Sequence, residues 1–235
     1  MSPFLGEFTG TTLLIIMGDG VVANVLLNKT KGQHSGFLFI TFGWAMAVFL
    51  GVFTSIHFGG GGHLNPAFTI AIAIFGNFDS ALVLPYIAAQ FAGGITGALI
   101  VWLAYKQHFD ATDDKDLKLA VFCNAPAIKS NGHNLLTEII GTFVLVFGAL
   151  AMSPAASSLG TLDALPIGLL VLGIGMSLGG PTGYAINPAR DLGPRIAHFI
   201  LPIPGKRDSD WSYSWIPVVG PVIGALFAAF LFKLV

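Results

Sequence analysis

His63-Leu64-Asn65-Pro66-Ala67 and Ile186-Asn187-Pro188-Ala189-Arg190 place one tripeptide, Asn-Pro-Ala, at two points in a chain of 235 residues. Each copy is followed by an apolar piece of about a dozen residues, 66–76 and 188–200. At 1.5 Å per residue such a piece reaches only about 16–18 Å, roughly half the thickness of a bilayer's hydrocarbon core. Two of them meeting end to end would cross it once. Proline at the first helical position wastes no hydrogen bond, and the asparagine before it can cap the helix while its NH2 group remains free to donate.

Working outward, six longer apolar runs lie at roughly 4–27, 36–57, 83–105, 134–153, 162–180 and 214–234, each about long enough to span. The chain is 54% hydrophobic and 10% charged, with a mean hydropathy of +0.78, and no Asp, Glu, Lys or Arg falls between Lys31 and Asp79. Soluble domains carry about 25% charged residues. A net charge of -1 gives no basic patch for nucleic acid, and the single cysteine, Cys123, has no Cys/His cluster beside it for a zinc-type site. The start, Met-Ser-Pro-Phe-Leu-Gly-Glu, has no basic n-region, so the first run reads as a retained helix.

The runs repeat. Gly6-Glu7-Phe8-Thr9-Gly10-Thr11 returns as Thr137-Glu138-Ile139-Ile140-Gly141-Thr142, Leu64-Asn65-Pro66-Ala67 as Ile186-Asn187-Pro188-Ala189, and Gln90–Gly94 more weakly as Gly220–Gly224. A first repeat over 1–105 and a second over 134–235 are joined by the polar linker 106–133. Three spans per repeat is an odd number, so the second repeat enters the membrane from the opposite side. The expected fold is an all-α membrane protein of six transmembrane helices plus two re-entrant half-helices in an inverted repeat, forming one channel domain over 1–235.

Irregular backbone at membrane depth survives only inside protein or along a wet cavity. Asn65 and Asn187 are therefore expected to be paired donors at the midplane, where the positive ends of both half-helices raise the energy of any cation. The approaches Gly59–Leu64 and Gly179–Ala185 are too glycine-rich for helix, so Gly61, Gly62, His63, Leu64, Gly183 and Ala185 are expected to offer carbonyls to a polyol. Arg190 should face the lumen, held by backbone carbonyls or else paired with Asp191. Glu7 and Glu138 sit at matching repeat positions. They read as scaffolds accepting from loop NH groups, or as a proton-relay dyad. Gly93, Gly94, Gly97, Gly220 and Gly224 read as helix-packing positions. Asp19, in the first span, has no role on this reading.

These residues together resemble the major intrinsic protein family over nearly the whole chain. Asp191 after the arginine, Arg195 in Gly193-Pro194-Arg195, and Pro217-Val218 resemble its aquaglyceroporin, or glycerol facilitator, branch. The resemblance implies an aromatic/arginine constriction. Matching positions give Tyr184, Arg190, Gly175 in place of a histidine, and a second-span aromatic at Phe42, with Ile40 as the alternative. The absent side chain of Gly175 would leave room for a three-carbon solute. Also implied are passage of glycerol and water without ions, no enzyme activity, no cofactor or metal, a homotetramer with one pore per protomer, and a cell-membrane location with both termini cytoplasmic. Charge bias alone points the other way, because Lys29, Lys31, Lys106, Lys115, Lys118, Lys129, Lys206 and Arg207 lie in the odd-numbered loops. A water-selective channel and a secondary transporter with broken helices are the rival functions.

Overall fold

The computed structural model describes residues 2–152 and 158–235. Among them the helices are α1 (Pro3–Leu26), α2 (Phe37–His57), α3 (Pro66–Phe75), α4 (Val83–Asp110), α5 (Lys115–Ala120), α6 (Asn131–Ala151), α7 (Leu165–Leu178), α8 (Pro188–Ile200) and α9 (Ile216–Leu234). Among the described residues six helical segments are long and apolar enough to cross a membrane, and α3 and α8, at 10 and 13 residues, are not. The expected spans fall on the six with small shifts at the ends. Residue 153, the expected end of the fourth span, lies outside the described residues. The segment read as a linker is partly helical: α4 continues to Asp110, α5 follows, and α6 starts at Asn131.

The packing pattern repeats as the sequence does. α1 packs on α2 and α4, and α6 packs on α7 and α9. The half-helices cross over: α3 of the first half lies against α9, and α8 of the second lies against α4. The halves are thus interlocked, so neither short helix buries itself without the other repeat. Close approach at these crossings requires glycine. A Cβ on Gly94 of α4 would come 2.8 Å from the Ala189 carbonyl oxygen of α8, and within the second repeat one on Gly224 of α9 would come 2.3 Å from that of Ile139 of α6. The outer faces carry exposed apolar side chains, among them Leu103, Leu169, Met176 and Phe227. That is the distribution a hydrocarbon solvent permits.

Each half-helix opens as its sequence dictates. Asn65 accepts from Ala67 N, Asn187 accepts from Ala189 N and Arg190 N, and proline fills the first helical position of both. At the far end of α8, Lys206 Nζ donates to the carbonyls of His198, Phe199 and Leu201, satisfying backbone groups that the ended helix leaves open.

Candidate functional site

The two turns meet and are bonded to each other. Asn65 Nδ2 donates to the Ile186 carbonyl and Asn187 Nδ2 to the Leu64 carbonyl, both at 2.8 Å. Each amide thus spends one hydrogen across the junction and keeps one. The residues just before the asparagines, Leu64 and Ile186, have φ of 51° and 45°, and Tyr184 has 41°. These left-handed conformations cost a side-chain-bearing residue about 1–3 kcal/mol each and persist only where surrounding contacts enforce them.

The enforcing contacts come from two fully buried carboxylates. Glu7 accepts from His63 N at 3.1 Å and Leu64 N at 2.7 Å, and also from Ser55 Oγ and Gln90 Nε2. Glu138 accepts from Ala185 N at 3.0 Å, Ile186 N at 2.8 Å and Thr182 Oγ1 at 2.6 Å. Hydrogen bonds to a charged acceptor contribute about 1.5–3 kcal/mol each, enough to offset the strained backbone. Glu7 and Glu138 bind opposite loops, and no hydrogen bond joins them to each other.

A cavity of about 550 Å³ runs past this junction. One wall is a stripe along α2, Trp44, Val48, Val52 and Ile56, spaced four residues apart and about 18 Å long. Leu145, Ile167 and Val171 add to the apolar lining, and Gly61 to Asn65 with Tyr184 to Asn187 line the cavity as well. The lining therefore combines apolar surface with backbone and amide groups, the two kinds of partner that the CH and OH groups of a polyol need. His63 lines it with its ring held by Thr69 Oγ1 at 3.1 Å and packed among Phe68, Phe78 and Tyr86. Among the described residues no group of three or more His, Cys, Asp or Glu is placed to hold a metal ion.

Several expected placements are corrected. Phe42 is 53% exposed and does not line the cavity; Trp44 does, with its ring 3.9 Å below the Arg190 guanidinium. Positions two apart on a helix are separated by about 200°, so Phe42 and Trp44 lie on opposite faces of α2. Ile40, half-buried, does not line it either. Gly183 is also outside the lining, its carbonyl accepting from Asn124 Nδ2 at 2.6 Å, whereas Ile186 is inside it. Gly175 leaves room, but for protein rather than solute. A Cβ there would lie 2.4 Å from Thr41 Cγ2 and 2.8 Å from Tyr184 Cζ, so the phenol of Tyr184 leans into the space that the glycine vacates.

Arg190 makes no side-chain hydrogen bond to a backbone carbonyl among the described residues, and Asp191 is not its partner. Asp191 accepts from Arg195 Nε at 2.8 Å and Nη2 at 3.0 Å, and from Asn124 N at 2.8 Å. Arg195 in turn donates to the carbonyls of Asn124, Ser209 and Asp210, tying two loops to α8. What stands beside Arg190 is Asp19, with Oδ1 3.7 Å from Nη1. Of the residues at the site that the sequence does not single out, Trp44, Val48, Val52 and Ile56 carry a signal in their four-residue spacing. Ser55, Gln90 and Asn124 carry none, since their contacts to Glu7 and Gly183 are distant in sequence.

Comparison with known proteins comes to the same architecture. The family model described as Major intrinsic protein matches residues 1–232. A probable glycerol uptake facilitator protein of Thermotoga maritima is 56% identical over 233 residues, covering 99% of both chains. A glycerol uptake facilitator protein of Streptococcus pneumoniae strain R6 is 53% identical over 236 residues, covering 100% of this chain and 99% of its own. The X-ray structure of the aquaglyceroporin from Plasmodium falciparum superposes with a TM-score of 0.84 at 29% identity, covering 98% of this chain and 94% of that one.

Proposed function

This chain belongs to the major intrinsic protein family, and from that premise we propose that it is a passive transmembrane channel for glycerol, water and other small uncharged solutes that excludes ions and protons. The observation that carries the reading is the reciprocal Asn65–Asn187 junction beside a two-sided cavity. A solute hydroxyl leaving water there meets amide hydrogens and loop backbone on one wall while its carbons face Val48, Val52 and Val171 on the other. A cation meets the positive ends of α3 and α8 and the guanidinium of Arg190. On this reading the constriction is Trp44, Tyr184 and Arg190, with Gly175 acting on its width through Tyr184.

Glu7 and Glu138 are scaffolds for the two turns, and no catalytic step is assigned to them. The similarity to glycerol uptake facilitators favours glycerol over a water-only channel. Residues of one chain line the cavity, so a homotetramer would hold one pore per protomer. We read the protein as residing in the cell membrane with both termini cytoplasmic, following the family resemblance over the charge bias of the loops.

The test is stopped-flow light scattering of proteoliposomes in opposed glycerol and sorbitol gradients. Rapid, non-saturating glycerol entry without ion current is expected. Saturable, ion-coupled uptake would instead identify an alternating-access carrier.

A further inference from the structure

Converging helix N-termini and a lumenal arginine repel cations, but the same features attract anions, because a helix N-terminus is a ready anion site. A neutral-solute channel needs something that cancels this attraction. The side chains around Arg190 supply it. Asp19 of α1 is fully buried, and neither carboxylate oxygen has a hydrogen-bond partner among the described residues. Its Oδ1 lies 3.7 Å from Arg190 Nη1, itself buried and unpartnered among them. The guanidinium is thus flanked by the Trp44 ring at 3.9 Å and by the Asp19 carboxylate at 3.7 Å. α1 reaches this place because Gly18, next to Asp19, has no Cβ. One there would sit 2.2 Å from Trp44 Cζ3.

The neighbouring charges leave Asp19 for Arg190 alone. Asp191 is bonded to Arg195 at 2.8 Å, a self-contained pair. Two arginines and two aspartates then sum to zero, with Asp19 as the member that matches the lumenal arginine.

We propose that Asp19 is the counter-charge of the constriction: it positions the Arg190 guanidinium and cancels its charge, so that the passage excludes small anions as well as cations. This rests on the channel reading above. It makes Asp19 a positioning and selectivity residue that never touches the solute, since it lies behind Arg190 and outside the cavity lining.

The experiment measures nitrate and glycerol permeability of proteoliposomes holding the full chain. Asp19→Asn keeps the side chain's size and removes its charge. The nitrate-to-glycerol permeability ratio should rise about tenfold, the effect of one uncancelled charge a few ångström from the path. Adding Arg190→Gln to Asp19→Asn should return the ratio to the wild-type value, which a merely structural role for Asp19 would not do. A second arm reads the opposite charge. Arg190→Gln alone leaves Asp19 unmatched and should admit caesium, and Asp19→Asn in that background should lower the caesium leak. An unchanged ratio in Asp19→Asn, or equal changes in nitrate and glycerol, would overturn the proposal, as would a caesium leak indifferent to Asp19. A wild-type protein that passes no glycerol would overturn the channel reading instead, and this inference with it.

Discussion

The two Asn-Pro-Ala turns share their frame and differ in their furniture. Both have a proline-started half-helix, an asparagine cap, a left-handed residue before it, a crossed amide bond and a buried glutamate taking two loop NH groups. After the alanine they diverge. The first turn continues into Phe68 and Thr69, the second into Arg190 and Asp191. Ahead of the asparagine, Gly62 stands where the second turn has Tyr184. What the repeats hold in common makes a turn possible at membrane depth, and what they do not share puts Tyr184 and Arg190 at the cavity on the second turn only. On the proposed reading, selectivity is thus built on one side of a symmetric frame.

The largest test strikes the shared frame. Glu7→Ala and Glu138→Ala should each abolish most glycerol flux and lower the melting temperature in detergent, because at least two buried NH donors lose their acceptor at about 1–3 kcal/mol apiece. Equivalence of the turns requires comparable losses. A silent Glu7→Ala would break it, with Ser55 and Gln90 the groups to examine next.

A smaller effect is expected on the asymmetric side. Gly175→Ala should drive Tyr184 toward the lumen and cut glycerol flux several-fold more than water flux, with Tyr184→Val restoring it in the double variant. Equal loss of both solutes would show that Tyr184 does not set the width. The smallest effect separates two aromatic residues on one helix. Trp44→Ala should change the glycerol-to-water ratio, whereas Phe42→Ala, on the outer face, should leave both fluxes and stability within about 0.5 kcal/mol of wild type. A shift in flux ratio from Phe42→Ala would return that residue to the path.

The element plan was legible because it depends on local rules. Six runs long enough to span, two too short, and an asparagine before a proline at the head of each short one are readable from residue type and spacing alone. The repeat made Glu7 and Glu138 visible as equivalents before any contact was known. Faces were not legible. α2 is apolar all round, since one side meets lipid and the other an apolar wall of the cavity, so no change in polarity distinguishes Trp44 from Phe42. Gly175 illustrates the same limit, as its missing side chain was evident but Tyr184 as the occupant of the space was not.

The sequence by itself determined the spans, the half-helices and their caps, because hydrocarbon allows no backbone group to go unpaired and leaves few ways to satisfy that condition. Only the tertiary structure decided which side chains line the cavity and which charges answer one another. Those pairings, Arg190 with Asp19 across 171 positions and Asn65 with Ile186 across 121, arise where two interlocked repeats touch, and no local spacing encodes them.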